Sequence, residues 1–382
     1  MARIAILSAS LDARYDGVAD YSRLLAEELV RQGHCVLRIG LMQTTDGWMD
    51  MAGTRFAKNK AAEPDYQKRL ETARREIKAF DPDFASLQYV CFSFGRYGLP
   101  LRIGRDLRRI VGDRPLELMS HELWTGILPA KDMKTQVLSR LQQWNYRRFL
   151  RQLQPHCVHV SNPAYVQLLK RLGVHASVLP LFGNIPVTDL QDSELDSWEY
   201  HHDGRLFCKF LIFGSIHPEW PLEPLFSRIL DFCDSKNLCP LVISAGGQGR
   251  GESLWHEMQS AYGMKFQFLK LGRTSGERIS ALINSSDFGL VTTPLSIIGK
   301  SGTAAAMLEH DLPLIVNRDE PCQHIGRIEP EEGYNRFMTL TDDFLNQMQA
   351  NFSRPRCPAS RLPDVTKRLM REMQCGFIKY EI

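Results

Sequence analysis

Short apolar runs alternate with longer amphipathic segments along almost all of this 382-residue chain. The runs include Ile4–Ser8, Cys35–Ile39, Phe84–Val90, Leu116–Met119 and Cys157–Val160, with helical patterns near Tyr21–Gln32 and Tyr66–Phe80 between them. Runs this short, rich in β-branched residues and spaced by helices, imply parallel strands covered on both faces. The pattern breaks at Asp189–Gly204, a polar, acidic interval expected to hold the interdomain connection. A second series follows: Cys208–Phe213, Leu238–Ala245, Phe266–Leu271, Phe288–Thr292 and Pro313–Val316. The expected fold is therefore α/β, two Rossmann-like domains. One spans 1–188 and the other 205–360; residues 361–382 carry a last helix, near Val365–Met373, free to pack back on the first domain. Ligands of open parallel sheets sit at the carboxyl ends of the strands, so a site in a central cleft between the two domains is expected.

Composition narrows the function classes. A formal net charge of +3 is too mild to argue for nucleic acid. No apolar run approaches the roughly 20 residues needed to span a bilayer. The start, Met1-Ala-Arg-Ile-Ala-Ile-Leu, enters a strand pattern without a signal-peptide cleavage region. The nine cysteines show no close pairing for zinc, and Cys35, Cys157 and Cys208 lie in apolar runs as small hydrophobes. A cytoplasmic protein is expected.

Chemistry concentrates at Pro294–Thr303, between the run ending at Thr293 and the helix-like Ala304–His310. Lys300, Ser301, Gly302 and Thr303 stand where a strand gives way to a helix. Unpaired N–H groups and the positive end of the helix dipole face an anion there, and lysine adds a full charge. Gly299-Lys300-Ser301 imitates the end of a triphosphatase P-loop, but that motif needs a glycine where Pro294 stands. The competing reading is an ordinary capped helix start.

Three more strand-end loops converge on the same expected edge: Gly214-Ser215-Ile216-His217, Ala245-Gly246-Gly247-Gln248-Gly249 and Gly272-Arg273-Thr274. Glycines there permit tight turns and close approach of a ligand, although any one of them also suits a surface loop. In the first half, Asp12–Val18 follows the first strand, and Gly17 opens N–H groups to an anion, with Arg14 as an added charge.

Leu116–Trp124 places His121 and Glu122 at a strand end, either to bond a sugar hydroxyl or handle a proton, or as a polar cap. His217 with Glu219 is a weaker pair of the same kind. The carboxylate pairs Asp81/Asp83 and Asp342/Asp343 read as a turn and a helix start, and no metal is expected. Lys134–Arg151 interleaves five cations with Leu138, Leu141, Trp144, Tyr146, Phe149 and Leu150, without an acid. Such a helix packs on its own sheet or lies on an anionic membrane, and the basic patch Arg102–Arg109 adds to the second reading.

Taken in order, these segments resemble the GT-B glycosyltransferases, in particular the large retaining group (group 1, or family 4-like) that uses nucleotide sugars. Asp16-Gly17-Val18 through Leu29, with Gln32-Gly33-His34, is similar to that group's N-terminal glycine loop and first helix. Ser120-His121-Glu122-Leu123 resembles the segment carrying its active-site histidine. Val160–Pro163 and Val178–Pro186 resemble the run into the hinge. Leu271-Gly272, Ile279–Leu282, Asp287–Val291 and Ala305–Ile315 resemble the donor domain. The similarity covers nearly the whole chain in short motifs.

The resemblance implies a glycosyltransferase with His121 and Lys300 as catalytic residues. Gly17, Gly214, Ser215, Gly247, Gly272, Lys300, Ser301, Gly302, Thr303 and Glu309 would bind the donor. It implies a nucleoside diphosphate sugar as donor, a glycan, lipid-linked or small-molecule acceptor, no cofactor, and retention of configuration. A sugar-nucleotide epimerase or hydrolase, or a non-catalytic GT-B scaffold, are the rival readings. Two positions where the group carries glutamates hold Ile298 and Ala306 here, so either Glu309, one turn on, substitutes for the ribose contact or that contact is absent. The arginine and lysine expected after the Gly214 strand are missing, which leaves the diphosphate charge to Lys300.

Overall fold

The structure is a computed structural model that describes residues 1–12, 16–42, 54–57, 66–129, 132–199, 203–247, 249–322, 325 and 337–374. The chain divides into two units. The first comprises Met1–Pro180, Pro321–Ile328 and Leu362–Ile382; the second comprises Leu181–Glu320 and Glu329–Arg361.

In the first unit the strands are β1 (Arg3–Ser8), β2 (Cys35–Gly40), β3 (Thr54–Ala57), β4 (Phe84–Val90), β5 (Leu116–Glu122), β6 (Cys157–Val160) and β7 (Ser177–Val178). They form one parallel sheet in the order β3-β2-β1-β4-β5-β6-β7. The order reverses beside β1, so the loops after β1 and β4 part there and leave a crevice at the carboxyl edge. Gly17 begins the helix Gly17–Arg31 that follows β1. This helix starts a turn before the apolar pattern, because Asp16 accepts from the N–H groups of Val18 at 2.9 Å and Ala19 at 3.4 Å. The last helix, Leu362–Gln374, belongs to this unit, and the helix Gly17–Arg31 packs on it.

The second unit holds β8 (Leu206–Phe213), β9 (Leu238–Ala245), β10 (Gln267–Gly272), β11 (Phe288–Val291), β12 (Leu314–Val316) and β13 (Phe337–Met338). Their order is β10-β9-β8-β11-β12-β13, again all parallel, with the reversal between β8 and β11. Neighbouring residues of a strand point to opposite faces. Phe210 accordingly enters a core with Trp220, Phe226 and Phe288, while Leu211 enters a second core with Leu241, Ile243 and Leu314. Burying each such side chain contributes about 1.5–3 kcal/mol, which fixes the register of the whole sheet.

The short edge strands β3, β7 and β13 had no signal in the sequence, being only two to four residues long. The acidic interval lies inside the second unit instead of between units. Asp192 caps the helix Ser193–Asp196 and also accepts from Arg278 Nε at 3.0 Å, joined by Glu194. Its charge is therefore part of the packed unit. His201 and His202 lie outside the described residues.

Candidate functional site

Three glycines step across the carboxyl edge of the second sheet. Gly214 follows β8, Gly246 follows β9 and Gly272 ends β10, with φ of 88°, 98° and 68°. Each holds the left-handed conformation that costs other residues energy. Gly246 N–H donates to Gly272 O at 2.7 Å and Gly214 N–H to Ala245 O at 2.8 Å. The ladder thus continues past the strand ends before the loops separate. A Cβ at Gly246 would lie 3.2 Å from the Gly214 backbone, and one at Gly214 would lie 2.8 Å from Thr303 Cγ2. The glycine edge therefore abuts the start of the helix Gly302–Glu309, which follows β11. The sequence singled out Gly247 in this run, but Gly246 is the residue joined to Gly214 and Gly272. Gly247 is exposed, and a Cβ there would lie 3.4 Å from Arg273 Nε. Gln248 lies outside the described residues.

The lysine loop runs as a 3₁₀ segment, Leu295–Lys300, with Leu295 to Gly299 buried and Lys300 half-buried at its end. Ser301 caps the following helix, its Oγ accepting from Ala304 N–H at 3.2 Å and lying 3.0 Å from Thr303 Oγ1. The capped-start reading thus holds for Ser301. Among the described residues, the N–H groups of Gly302 and Thr303 have no protein acceptor. A Cβ at Gly302 would meet nothing within 4 Å. Open space, two N–H groups and a helix start fit an anion.

Around this edge, Thr292 Oγ1 receives His217 N–H at 3.3 Å and donates to Ser215 O at 3.4 Å, which ties the loops after β8 and β11 together. Ser215 itself is exposed. The His217 imidazole accepts from Glu219 N–H at 3.2 Å. Burial, then the Arg318 charge, push its pKa down. Arg318 is buried, with Nε 2.8 Å from Glu320. Neither Thr292 nor Arg318 was singled out in the sequence, because nothing local marks a threonine or arginine as facing another strand's loop.

Glu309 sits elsewhere. Its Oε1 accepts from Gly183 N–H at 2.9 Å and Arg361 N–H at 3.0 Å, and the residue is 2% exposed. Burial pushes its pKa up to about 7 against those two N–H groups. The carboxylate is committed to fastening two backbone segments, so its assignment to a ribose has no geometric support here. Ile298 and Ala306 are buried apolar residues.

In the first unit, Gly17 is exposed at its helix start, with nothing within 4 Å of a Cβ built there. Arg14 lies outside the described residues. His121 is the extra residue of a bulge: Tyr89 pairs with Ser120, yet Val90 pairs with Glu122. Its ring is buried, edge-on to Tyr21 with centroids 4.8 Å apart, and burial pushes its pKa down to about 3. The imidazole is therefore neutral at any physiological pH.

A buried polar chain fixes its tautomer. His121 Nε2 lies 2.8 Å from Gln88 Oε1, Gln88 Nε2 donates to Ser86 Oγ at 2.6 Å, and Ser86 donates to Glu117. With the amide nitrogen of Gln88 turned to Ser86, its oxygen accepts from His121, so the proton sits on Nε2. Nδ1 is then the acceptor. Beyond Glu117, His159 bridges to Glu372 of the last helix, 3.0 Å from the first carboxylate and 2.6 Å from the second. Burial alone would lower the His159 pKa, but the bonds and charges of Glu117 and Glu372 together push it up to about 9. The His159 bond holds Glu372 down at about 2. Ser86 and Gln88, two apart in an apolar strand, were the overlooked signal.

The carboxylate pairs have structural partners: Asp81 with Arg114 at 2.5 Å, Asp83 with Arg3 N–H at 2.7 Å, and Asp343 with Asn346 at 2.8 Å.

No family model matches the chain, and no curated protein resembles it in sequence. Solved structures do. A sucrose-phosphate synthase from Thermosynechococcus elongatus is similar at 14% identity and a TM-score of 0.55, over 97% of this chain and 98% of its own. HepE from Anabaena in complex with UDP is similar at 14% identity and a TM-score of 0.51, over 97% and 91%. A Listeria monocytogenes protein assigned as a UDP-N-acetylglucosamine 2-epimerase is similar at 10% identity and a TM-score of 0.52, over 97% and 95%. At these identities the likeness establishes the architecture alone: two α/β units built on parallel sheets, the GT-B fold.

Proposed function

We propose that this protein is a metal-independent glycosyltransferase that takes a sugar from a nucleoside diphosphate donor, with retention. The observation that carries the reading is the meeting of Gly214 with Thr303 at the start of the helix Gly302–Glu309. A diphosphate there would accept from the N–H groups of Gly302 and Thr303 and pair with Lys300, while Gly214, Gly246 and Gly272 keep side chains away from it. Gly247 and Ser215 would line the outer part of the donor site. Cleavage of the anomeric bond leaves negative charge on that diphosphate, and donors already aimed at it lower the barrier. In the first unit, His121, whose Nδ1 is the ring's acceptor, is the second catalytic residue of this reading, and the exposed Gly17 helix start is a further anion contact. A glycan or lipid-linked acceptor is part of this reading. HepE, of the same fold, binds UDP, which supports a uridine nucleotide as first choice.

The test is binding followed by turnover. UDP at 100 times its Kd should raise stability by about 2.7 kcal/mol. Lys300→Ala should remove most of that shift and lower transfer by about 100-fold or more. Wild-type transfer by this variant would overturn the assignment. An epimerase is the second reading, favoured by the shared fold of the Listeria protein. Incubation with donor and no acceptor separates the two, since only an epimerase returns an inverted sugar nucleotide.

A further inference from the structure

The helix Met133–Leu153 is apolar on two opposite sides. Tyr146, Phe149, Leu150 and Leu153 are buried, as a helix on a sheet requires. Met133, Val137, Leu141 and Trp144 are 49 to 78% exposed, and their spacing of four, four and three places them on one stripe. The adjoining loop, fastened by Gln142 Nε2 to Tyr97 O at 2.7 Å, exposes Phe92, Tyr97 and Leu101 as well. Seven of the eleven large apolar side chains exposed among the described residues thus lie in these two elements. That concentration is what a scattered surface lacks.

Cations share the stripe. Lys134, Arg140, Arg147 and Arg151 are exposed, no acid interrupts Met133–Leu153, and none of these cations pairs with a carboxylate among the described residues. The Arg148 guanidinium lies 5.7 Å from the Trp144 ring centre. The core of a protein partner's interface is depleted in charged residues taken together, whereas five cations without an acid alternate with apolar side chains here, and a lipid headgroup layer takes both together. No helix among the described residues is long and apolar enough to cross a membrane, so the arrangement suits lying on one.

We propose that this face docks on a bilayer of anionic lipid, with Trp144, Leu141, Val137 and Met133 entering the headgroup boundary and the arginines on lipid phosphates. This stands apart from the sugar-transfer reading, because its test reads lipid binding alone. The full chain is sedimented with vesicles of phosphatidylcholine, and with vesicles in which half is phosphatidylglycerol. Binding is expected to the anionic vesicles only, and 0.5 M NaCl should weaken it. Arg140→Gln with Arg147→Gln should weaken it about 30-fold, near fivefold per cation. Leu141→Ala with Trp144→Ala should weaken it tenfold or more, with the thermal midpoint unchanged. No binding to anionic vesicles would overturn the proposal, as would equal binding to neutral ones or undiminished binding by both variants. A dimer that Leu141→Ala with Trp144→Ala makes monomeric, without vesicle binding, would overturn it in favour of a second copy.

Discussion

Gly214 and Thr303 touch across the carboxyl edge of the second sheet, so closely that any side chain at 214 would drive into the threonine methyl. Two separable costs follow for Gly214→Ala: left-handed backbone, at about 1–2 kcal/mol, and the 2.8 Å contact. The variant should lose stability and nucleotide affinity together. Adding Thr303→Ser removes the methyl and should recover the part due to contact but not the part due to backbone. Equal stability of Gly214→Ala and wild type in urea would show that the edge is loose.

The Gln88 amide decides which nitrogen of His121 carries the proton. Nitrogen NMR of the histidines should show one ring neutral, protonated on Nε2, with no titration between pH 5 and 9. Gln88→Leu should release that preference. A His121 ring that titrates near its ordinary value would contradict the buried setting. The transfer rate should likewise show no step from His121 in that pH range.

His159 holds its proton up to about pH 9 in the folded chain, against an ordinary value near 6.5. A raised value means that the stabilisation is complete below pH 6.5 and lost as pH climbs through 9. The urea midpoint should therefore fall between pH 6.5 and 9.5, by the equivalent of at most about 3 kcal/mol. His159→Gln should flatten that slope. An identical slope in the variant would assign the loss to other groups. Glu372→Gln leaves one carboxylate on the ring and should move the fall to lower pH.

Glu309 titrates the other way from an ordinary surface acid, with a folded value near 7 above the usual range. Its contribution is present at low pH and lost as pH rises towards 7, beyond which a charge lies buried. Glu309→Gln keeps the oxygen that serves Gly183 and Arg361 but drops the charge. It should exceed wild type at pH 8 by about 2 kcal/mol and converge with it near pH 5. Glu309→Ala should be weaker at both, since two buried N–H groups lose their acceptor. A destabilised Glu309→Gln at pH 8 would place a cation partner there instead.

Much of the fold was legible because burial imposes periodicity. The long strands β1, β4, β8 and β9 are apolar runs since both faces of a parallel sheet are covered. The edge strands were not legible, since two residues carry no period. At the candidate site, Gly214, Gly272 and Thr303 were named from their places after strands, and the structure brings them together. Gly246 was passed over for Gly247 because adjacent glycines look alike in sequence, and only backbone hydrogen bonding separates them. Glu309 was named by its distance from a motif, yet burial turned it towards Gly183.

The apolar face of Lys134–Arg151 shows the same limit. The sequence left open whether Leu141 and Trp144 pack on the sheet with Tyr146, Phe149 and Leu150 or face a membrane, and packing leaves both exposed. Helical phase says which residues share a side, not which side meets the sheet when both are apolar.

The order of residues alone determined two parallel-sheet units and the loops able to meet a ligand, because strand and helix periods are local consequences of burial. Which side chains meet was decided only in three dimensions. The chain from His121 through Gln88, Ser86, Glu117 and His159 to Glu372 joins residues as many as 286 positions apart in sequence. Partners so distant are selected by the register of neighbouring strands and the docking of one helix, and no local pattern records either.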